Sequence, residues 1–163
     1  MFSVGTARKT QLNRVFGHQP SGYIVHHHHN KHLIVLPCQD PITLPSGSEP
    51  EPDFVIARAT DDHYLSAHPS PKDVLLVIEI ADSSLNYDQE VKIPLYAEAG
   101  ISDYWIFNLV AQHLECYSEP YQELTLNFAY GLKRIFLPNQ SVILPCFSDL
   151  SLDLSRIFPR ITV

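Results

Sequence analysis

The stretch Val74-Leu-Leu-Val-Ile-Glu-Ile80 limits the possible folds more than any other. It is a nearly unbroken apolar run, and it reads as a central strand covered on both faces. A strand of that kind needs a layer of structure above it and another below it. Near its end stands one carboxylate, Glu79. Burying a carboxylate is costly unless it is paired, hydrogen-bonded or bound to a metal. Glu79 is therefore the most informative residue in the chain.

The flanking segments supply the neighbours of that strand. Asp53-Phe-Val-Ile-Ala-Arg58 is a second strand, with Asp53, Val55 and Ala57 on one face and Phe54 and Ile56 on the other. Pro50 and Pro52 deliver the chain into it extended, because each fixes its own φ and biases the residue before it away from helix. Residues 37–52, with five prolines and Gly47, read as an extended connector. Residues 60–71 read as a polar loop. After Glu79, residues 83–88 offer capping side chains for a helix that runs to about Ala99 and stops at Gly100. Asp88, Lys92 and Tyr96 share one stripe of it at i, i+4 and i+8. Pro94 predicts a late start or a kink. Asp103-Tyr-Trp-Ile-Phe107 is the next strand, and His113-Leu-Glu-Cys-Tyr117 returns beside it as a hairpin partner. Short strands are predicted near 123–128 and 133–137, then a short helix near 148–158. Upstream, residues 5–17 read as a short helix capped by Thr6, and Leu33-Ile-Val-Leu36 as a strand.

This order, αβββαβ followed by β elements, gives an α/β domain with a mixed sheet. The 163 residues form one domain, 1–163, large enough to bury a core without staples. The hydrophobic and charged fractions, 45% and 18%, are those of a soluble globular protein. No apolar run reaches the ~18 residues of a membrane span, and the first residues lack the apolar core of a secretory signal. Cys38, Cys116 and Cys146 lie far apart with no C-x-x-C pair, which argues against a disulfide framework or zinc ribbon and fits a cytoplasmic, reducing setting.

Charge and histidines bear on partners. A net charge of -7 argues against wholesale nucleic-acid binding. Residues 1–39 nevertheless carry Arg8, Lys9, Arg14 and Lys31 and no acid, so that segment is +4 and the rest -11. A solvated helix face is the plainer reading of the basic segment, and local steering of DNA the sharper one. His26 to His29 with His32 could bind a transition metal. Extended chain would alternate these rings between faces, and no Cys or acid is close, so an exposed loop or edge strand is the plainer reading.

Topology then collects three distant residues. The strands at 53–58 and 74–80 are joined by a loop without helical pattern, which predicts antiparallel neighbours. The start of one lies beside the end of the other, so Asp53 meets Glu79. The helix leaves from the same strand end and crosses to 103–107 in a right-handed β-α-β unit. Lys92, in its early part, arrives at that end too. Two carboxylates with backbone carbonyls and waters make a hard oxygen site for Mg2+ or Mn2+. Such a cation lowers the pKa of a bound water and offsets charge on a scissile phosphate. A nearby ammonium can orient that water and stabilise the transition state. Taken singly, Asp53 is an ordinary strand-start residue, Lys92 an ordinary i, i+4 partner of Asp88, and Tyr96 an ordinary core-rim residue.

Ser48-Glu-Pro-Glu-Pro-Asp53, Val77-Ile-Glu-Ile-Ala-Asp-Ser-Ser84, Tyr87-Asp88 with Lys92, and Leu95-Tyr-Ala-Glu-Ala-Gly-Ile-Ser-Asp-Tyr-Trp105 together resemble the Uma family of restriction endonucleases. That family is a former domain of unknown function within the PD-(D/E)XK nuclease-like superfamily. The resemblance is close from about Gln39 to Leu109 and looser beyond. It implies a restriction-endonuclease-like αβββαβ core with a mixed sheet and extra C-terminal β-strands. It also implies that Asp53 is the PD aspartate and Glu79 the (D/E) carboxylate, both metal ligands. Ala81 stands where the motif's lysine belongs, and the resemblance moves that role to Lys92 on the following helix. Residues 1–38 depart from the family pattern and read as divergent or truncated. The function implied is a Mg2+- or Mn2+-dependent endonuclease that hydrolyses DNA, with Asp53, Glu79 and Lys92 catalytic and a homodimer as one possible assembly. The alternative is an inactive nuclease fold that serves as a binding or scaffold protein, which the acidic body and Ala81 favour. Metal buffering by the histidine run is a third reading.

Overall fold

A computed structural model describes residues 24–28, 31–37, 41–145 and 147–158, the first two segments by backbone alone. Seven strands form one sheet in plain sequence order. They are β1 (Ile24–His28), β2 (Lys31–Pro37), β3 (Phe54–Arg58), β4 (Val74–Ala81), β5 (Asp103–Asn108), β6 (His113–Gln122) and β7 (Phe128–Phe136). Neighbours pair antiparallel except β4 and β5, which are parallel and joined by the helical crossover. The sheet is thus mixed, as expected. β8 (Ser141–Leu144) and β9 (Phe147–Asp153) form a separate hairpin.

The apolar run of β4 is explained by two layers of packing. On one face of the sheet Phe54, Ile56, Leu76, Ile78, Trp105 and Phe107 meet the β8–β9 hairpin through Val142, Leu144 and Leu152, with Leu154, Ile157 and Phe158 beyond it. On the other face Val55, Ala57, Val77, Tyr104 and Ile106 pack with Tyr96 of the crossover and with Ile42 and Leu44 of the proline-rich connector. Glu79 shares this second face with Val77 and Ala81, since residues two apart on a strand point the same way.

The crossover is one helical segment with an irregular middle. It runs through α1 (Leu85–Tyr87), a π-helical turn over Asp88–Lys92, and α2 (Ile93–Glu98). Pro94 accounts for the irregularity. Its ring would press on the carbonyl four residues earlier in a continuous α-helix, and it has no N–H to donate. The wider π turn ends just before it, so Pro94 falls in the first turn of α2, where the missing donor costs nothing. Gly100 ends the helix at φ +73. Its N–H donates to Ala97 O at 3.0 Å and that of Ile101 to Tyr96 O at 3.1 Å, the paired bonds of a Schellman motif.

Two expected elements differ. Residues 123–127, predicted within a strand, form the β6–β7 turn, where Glu123 N donates to Asn127 O at 2.7 Å and Leu126 adopts φ +68. Residues 148–158, predicted as helix, are mostly β9, followed by a short 3-10 turn over Leu154–Arg156. Leu152 and Leu154 both enter the core at a spacing of two, and β8 supplies a hairpin partner for the strand. The helix predicted over 5–17 lies outside the described residues. His26 to His28 lie on β1 and His32 on β2, with His27 opposite His32. β1 is the edge of the described sheet, and the side chains of the histidine run lie outside what is described. Among the described residues no helix is long and apolar enough to cross a membrane.

Candidate active site at the β3–β4 seam

Strand register brings Asp53 to Glu79. β3 pairs Phe54 with Ile78 in antiparallel fashion, so the residue before the one stands opposite the residue after the other. Two bonds close the seam. Ile80 N donates to Asp53 Oδ2 at 2.8 Å, and Asp53 N donates to Glu79 Oε2 at 3.4 Å. The carboxylates of Asp53 and Glu79 therefore lie side by side at the start of β3 and near the end of β4.

The π turn brings the third residue. Lys92 Nζ lies 2.7 Å from Glu79 Oε1 and 3.1 Å from Asp88 Oδ1. Tyr96, one turn further, donates its hydroxyl to the same Glu79 Oε1 at 3.2 Å. The stripe of Asp88, Lys92 and Tyr96 thus faces Glu79. All three expected site residues are gathered, and two more join them. Tyr96 is fully buried rather than a core-rim residue. Asp88 is 1% exposed, and Ser84 Oγ donates to its Oδ2 at 2.7 Å. The sequence offered Asp88 as a cap, as an ion-pair partner of Lys92 and as part of the family motif, without assigning it to the site; its carboxylate lies between Ser84 and Lys92, and Tyr104 from β5 donates its hydroxyl to the Asp88 carbonyl at 3.3 Å.

Burial sets the electrostatics. It pushes the Glu79 carboxyl up to about 7; Lys92 works against that rise, while Asp53 and Asp88 add to it as like charges. Burial pulls the Lys92 ammonium down, but Glu79 and Asp88 outweigh it and hold the group above its ordinary value. Lys92 is accordingly a firm cation and hydrogen-bond donor. Tyr96 is pushed up by burial and by Glu79, so its hydroxyl stays protonated.

These residues fit a hard divalent cation. Among the described residues Glu79 Oε2 receives the long bond from Asp53 N, and the buried Asp88 Oδ1 makes no well-directed hydrogen bond although Lys92 is near. Like-charge crowding around Glu79 is what a cation would relieve. Among the described residues no group of three His, Cys, Asp or Glu is gathered into a ready cage. Mg2+ does not require one, since it commonly binds one or two carboxylates and keeps its waters.

The chain is similar to a solved structure from Anabaena variabilis ATCC 29413, described as "a putative nuclease belonging to DUF820", with TM-score 0.60 and 15% identity over 97% of this chain and 82% of that one. At that identity the likeness carries the fold: a mixed sheet with a helical crossover and additional C-terminal strands. Among curated proteins none matches. A family profile matches residues 10–155, a span that contains Asp53, Glu79, Asp88, Lys92 and Tyr96. The chain belongs to the Uma2 family, described as "Putative restriction endonuclease".

Proposed function

We propose that this chain is a metal-dependent endonuclease that hydrolyses phosphodiester bonds of DNA in a reducing, cytoplasmic setting. Asp53 and Glu79 hold Mg2+ or Mn2+, and Lys92 positions the attacking water. The observation that carries this reading is the Lys92 ammonium 2.7 Å from Glu79 Oε1, at the seam where Glu79 meets Asp53. A divalent cation bound there would supply a more acidic water and charge neutralisation at the phosphate.

The chain's own residues do the rest. Ile80 N fixes one oxygen of Asp53, and Tyr96 and Lys92 fix one oxygen of Glu79, so both carboxylates are oriented before any ligand arrives. Asp88 and Glu79 keep Lys92 protonated. It therefore acts as a donor to the water and to phosphate oxygens, not as a base. A single well-aimed donor of this kind is worth roughly 3–4 kcal/mol in the transition state. A homodimer would set two such sites against the two strands of a duplex.

The test uses end-labelled duplex DNA and duplex RNA of one sequence, incubated with the protein and Mg2+, Mn2+ or EDTA. DNA fragments should form with either metal and vanish with EDTA. A folded protein that binds the duplex yet leaves it whole under every metal would overturn the reading and leave a nuclease fold used for binding.

A further inference from the structure

A second buried carboxylate shares the face of the sheet that carries Glu79. Register sets Glu79 beside Ile106, and Ile106 beside Glu115. The two acids are therefore two strands apart on one line across β4, β5 and β6. Glu115 is 3% exposed. Its Oε2 accepts from Gln89 Nε2 at 2.8 Å, from Tyr117 OH at 2.5 Å and from Lys133 Nζ at 2.7 Å, and His113 Nε2 lies 3.0 Å from Oε1.

Three of these partners belong to β6 and β7. Gln89 does not. It lies in the π turn over Asp88–Lys92, next to Asp88 and three residues before Lys92. A π turn is a rare piece of backbone, found frequently at functional sites. From β5 the turn is held by Tyr104 through the Asp88 carbonyl. From β6 it is held by Gln89 on Glu115, a bond to a charged acceptor and so stronger than one between neutral groups. The bonds from Tyr117, Lys133 and His113 hold the Glu115 carboxylate in place on β6, and Gln89 ties the turn to that fixed point.

We infer that Glu115 is a positioning residue: through Gln89 it fixes the π turn that presents Lys92 to Glu79. The kinetic half of this inference rests on the nuclease reading, while the geometric half stands without it. Relaxation of the turn to ordinary α-helix would change the register of Asp88 against Lys92 and swing the ammonium off Glu79. Glu115 then controls the placement of the ammonium from two strands away, touching neither substrate nor metal.

Two variants test this on the full chain. Glu115→Gln keeps the shape and removes the charge. Gln89→Leu removes only the amide, leaving the other three partners of Glu115 in place, so it guards against a simple loss of folding. The first readout is the 1H–15N resonance of the Lys92 ammonium, assigned by its disappearance in Lys92→Arg. It should shift or broaden in both variants while the backbone amide spectrum of the distant β8–β9 hairpin stays put. The second is the single-turnover cleavage rate with Mg2+. It should fall roughly 10- to 100-fold in both, the cost of a misplacement of about an ångström, with half-saturation by DNA unchanged. In a Lys92→Met background the same changes should cost nothing more. An unmoved Lys92 resonance in both folded variants would overturn the inference, as would rate losses that multiply with that of Lys92→Met. If the native protein cleaves nothing, the nuclease reading fails, and the resonance still decides this one.

Discussion

Glu79 and Glu115 are both buried acids on one face of the sheet, and their surroundings push them in opposite directions. Burial lifts Glu79 to about 7, with Lys92 opposing the rise and Asp53 and Asp88 adding to it as like charges. At Glu115 burial also acts upward, but the bonds from Lys133, Tyr117, His113 and Gln89 outweigh it and bring the group down to about 2. Linkage makes the lowered value a stability statement. In the unfolded chain Glu115 titrates near its ordinary 4.5, so between there and about 2 the unfolded state binds more protons. Its stabilising contribution is complete above about pH 4.5 and is lost as the pH falls towards 2. Urea unfolding of the native protein and Glu115→Gln should show a stability gap that is constant from pH 5 to 7, narrows steadily below about pH 4.5 and has largely closed near pH 2. A gap at pH 3 as wide as that at pH 6 would contradict this assignment. The two acids were not equally legible. Glu79 breaks an apolar run, so the sequence exposes it. Glu115 alternates with Leu114 and Cys116 as any solvent-facing strand residue would, and its burial comes from Gln89 and Lys133, which arrive from other elements. Asp88 is likewise not legible as a site residue, because a helix position four residues from Lys92 gives no sign that its carboxylate is buried.

Among the elements, the crossover was the most informative and the C-terminal region the least. Gly100 marked the helix end in the sequence, and it occupies the left-handed region that an L side chain resists. A Cβ built there meets nothing within 4 Å, so the cost of Gly100→Ala is conformational alone. It should destabilise the protein by about 1–2 kcal/mol in urea unfolding. A change below a few tenths would mean that the turn adapts at no cost. Pro94 predicted an irregular helix, and the π turn is the form that irregularity takes. The β9 strand was misread because Leu150, Leu154, Ile157 and Phe158 also recur at helical spacing, and period alone does not separate the two. The deciding partner, β8, is only four residues long. The turn at 123–127 was misread because Leu124 and Leu126 imitate a strand, yet both are exposed.

At the scale of the whole molecule, the fold follows from one rule applied twice. Sequential strands without a helix between them pair antiparallel, and the helical crossover after β4 makes β4 and β5 parallel. That rule places the start of β3, the end of β4 and the start of the crossover together, so Asp53, Glu79 and Lys92 meet without any guidance from their own side chains. What the topology could not supply is the environment: which acids lie together in the dry interior, and how far the cation is shared among them. The central claim is that this meeting point cuts DNA and that Glu79 is its essential carboxylate. Nicking of supercoiled plasmid in Mg2+ or Mn2+ tests it most directly, with the native protein and Glu79→Gln compared after circular dichroism has shown both to be folded. The native protein should nick only when metal is present, and the variant should be slower by at least ~100-fold. Equal nicking by the variant, or none by the folded native protein with either metal, would contradict it.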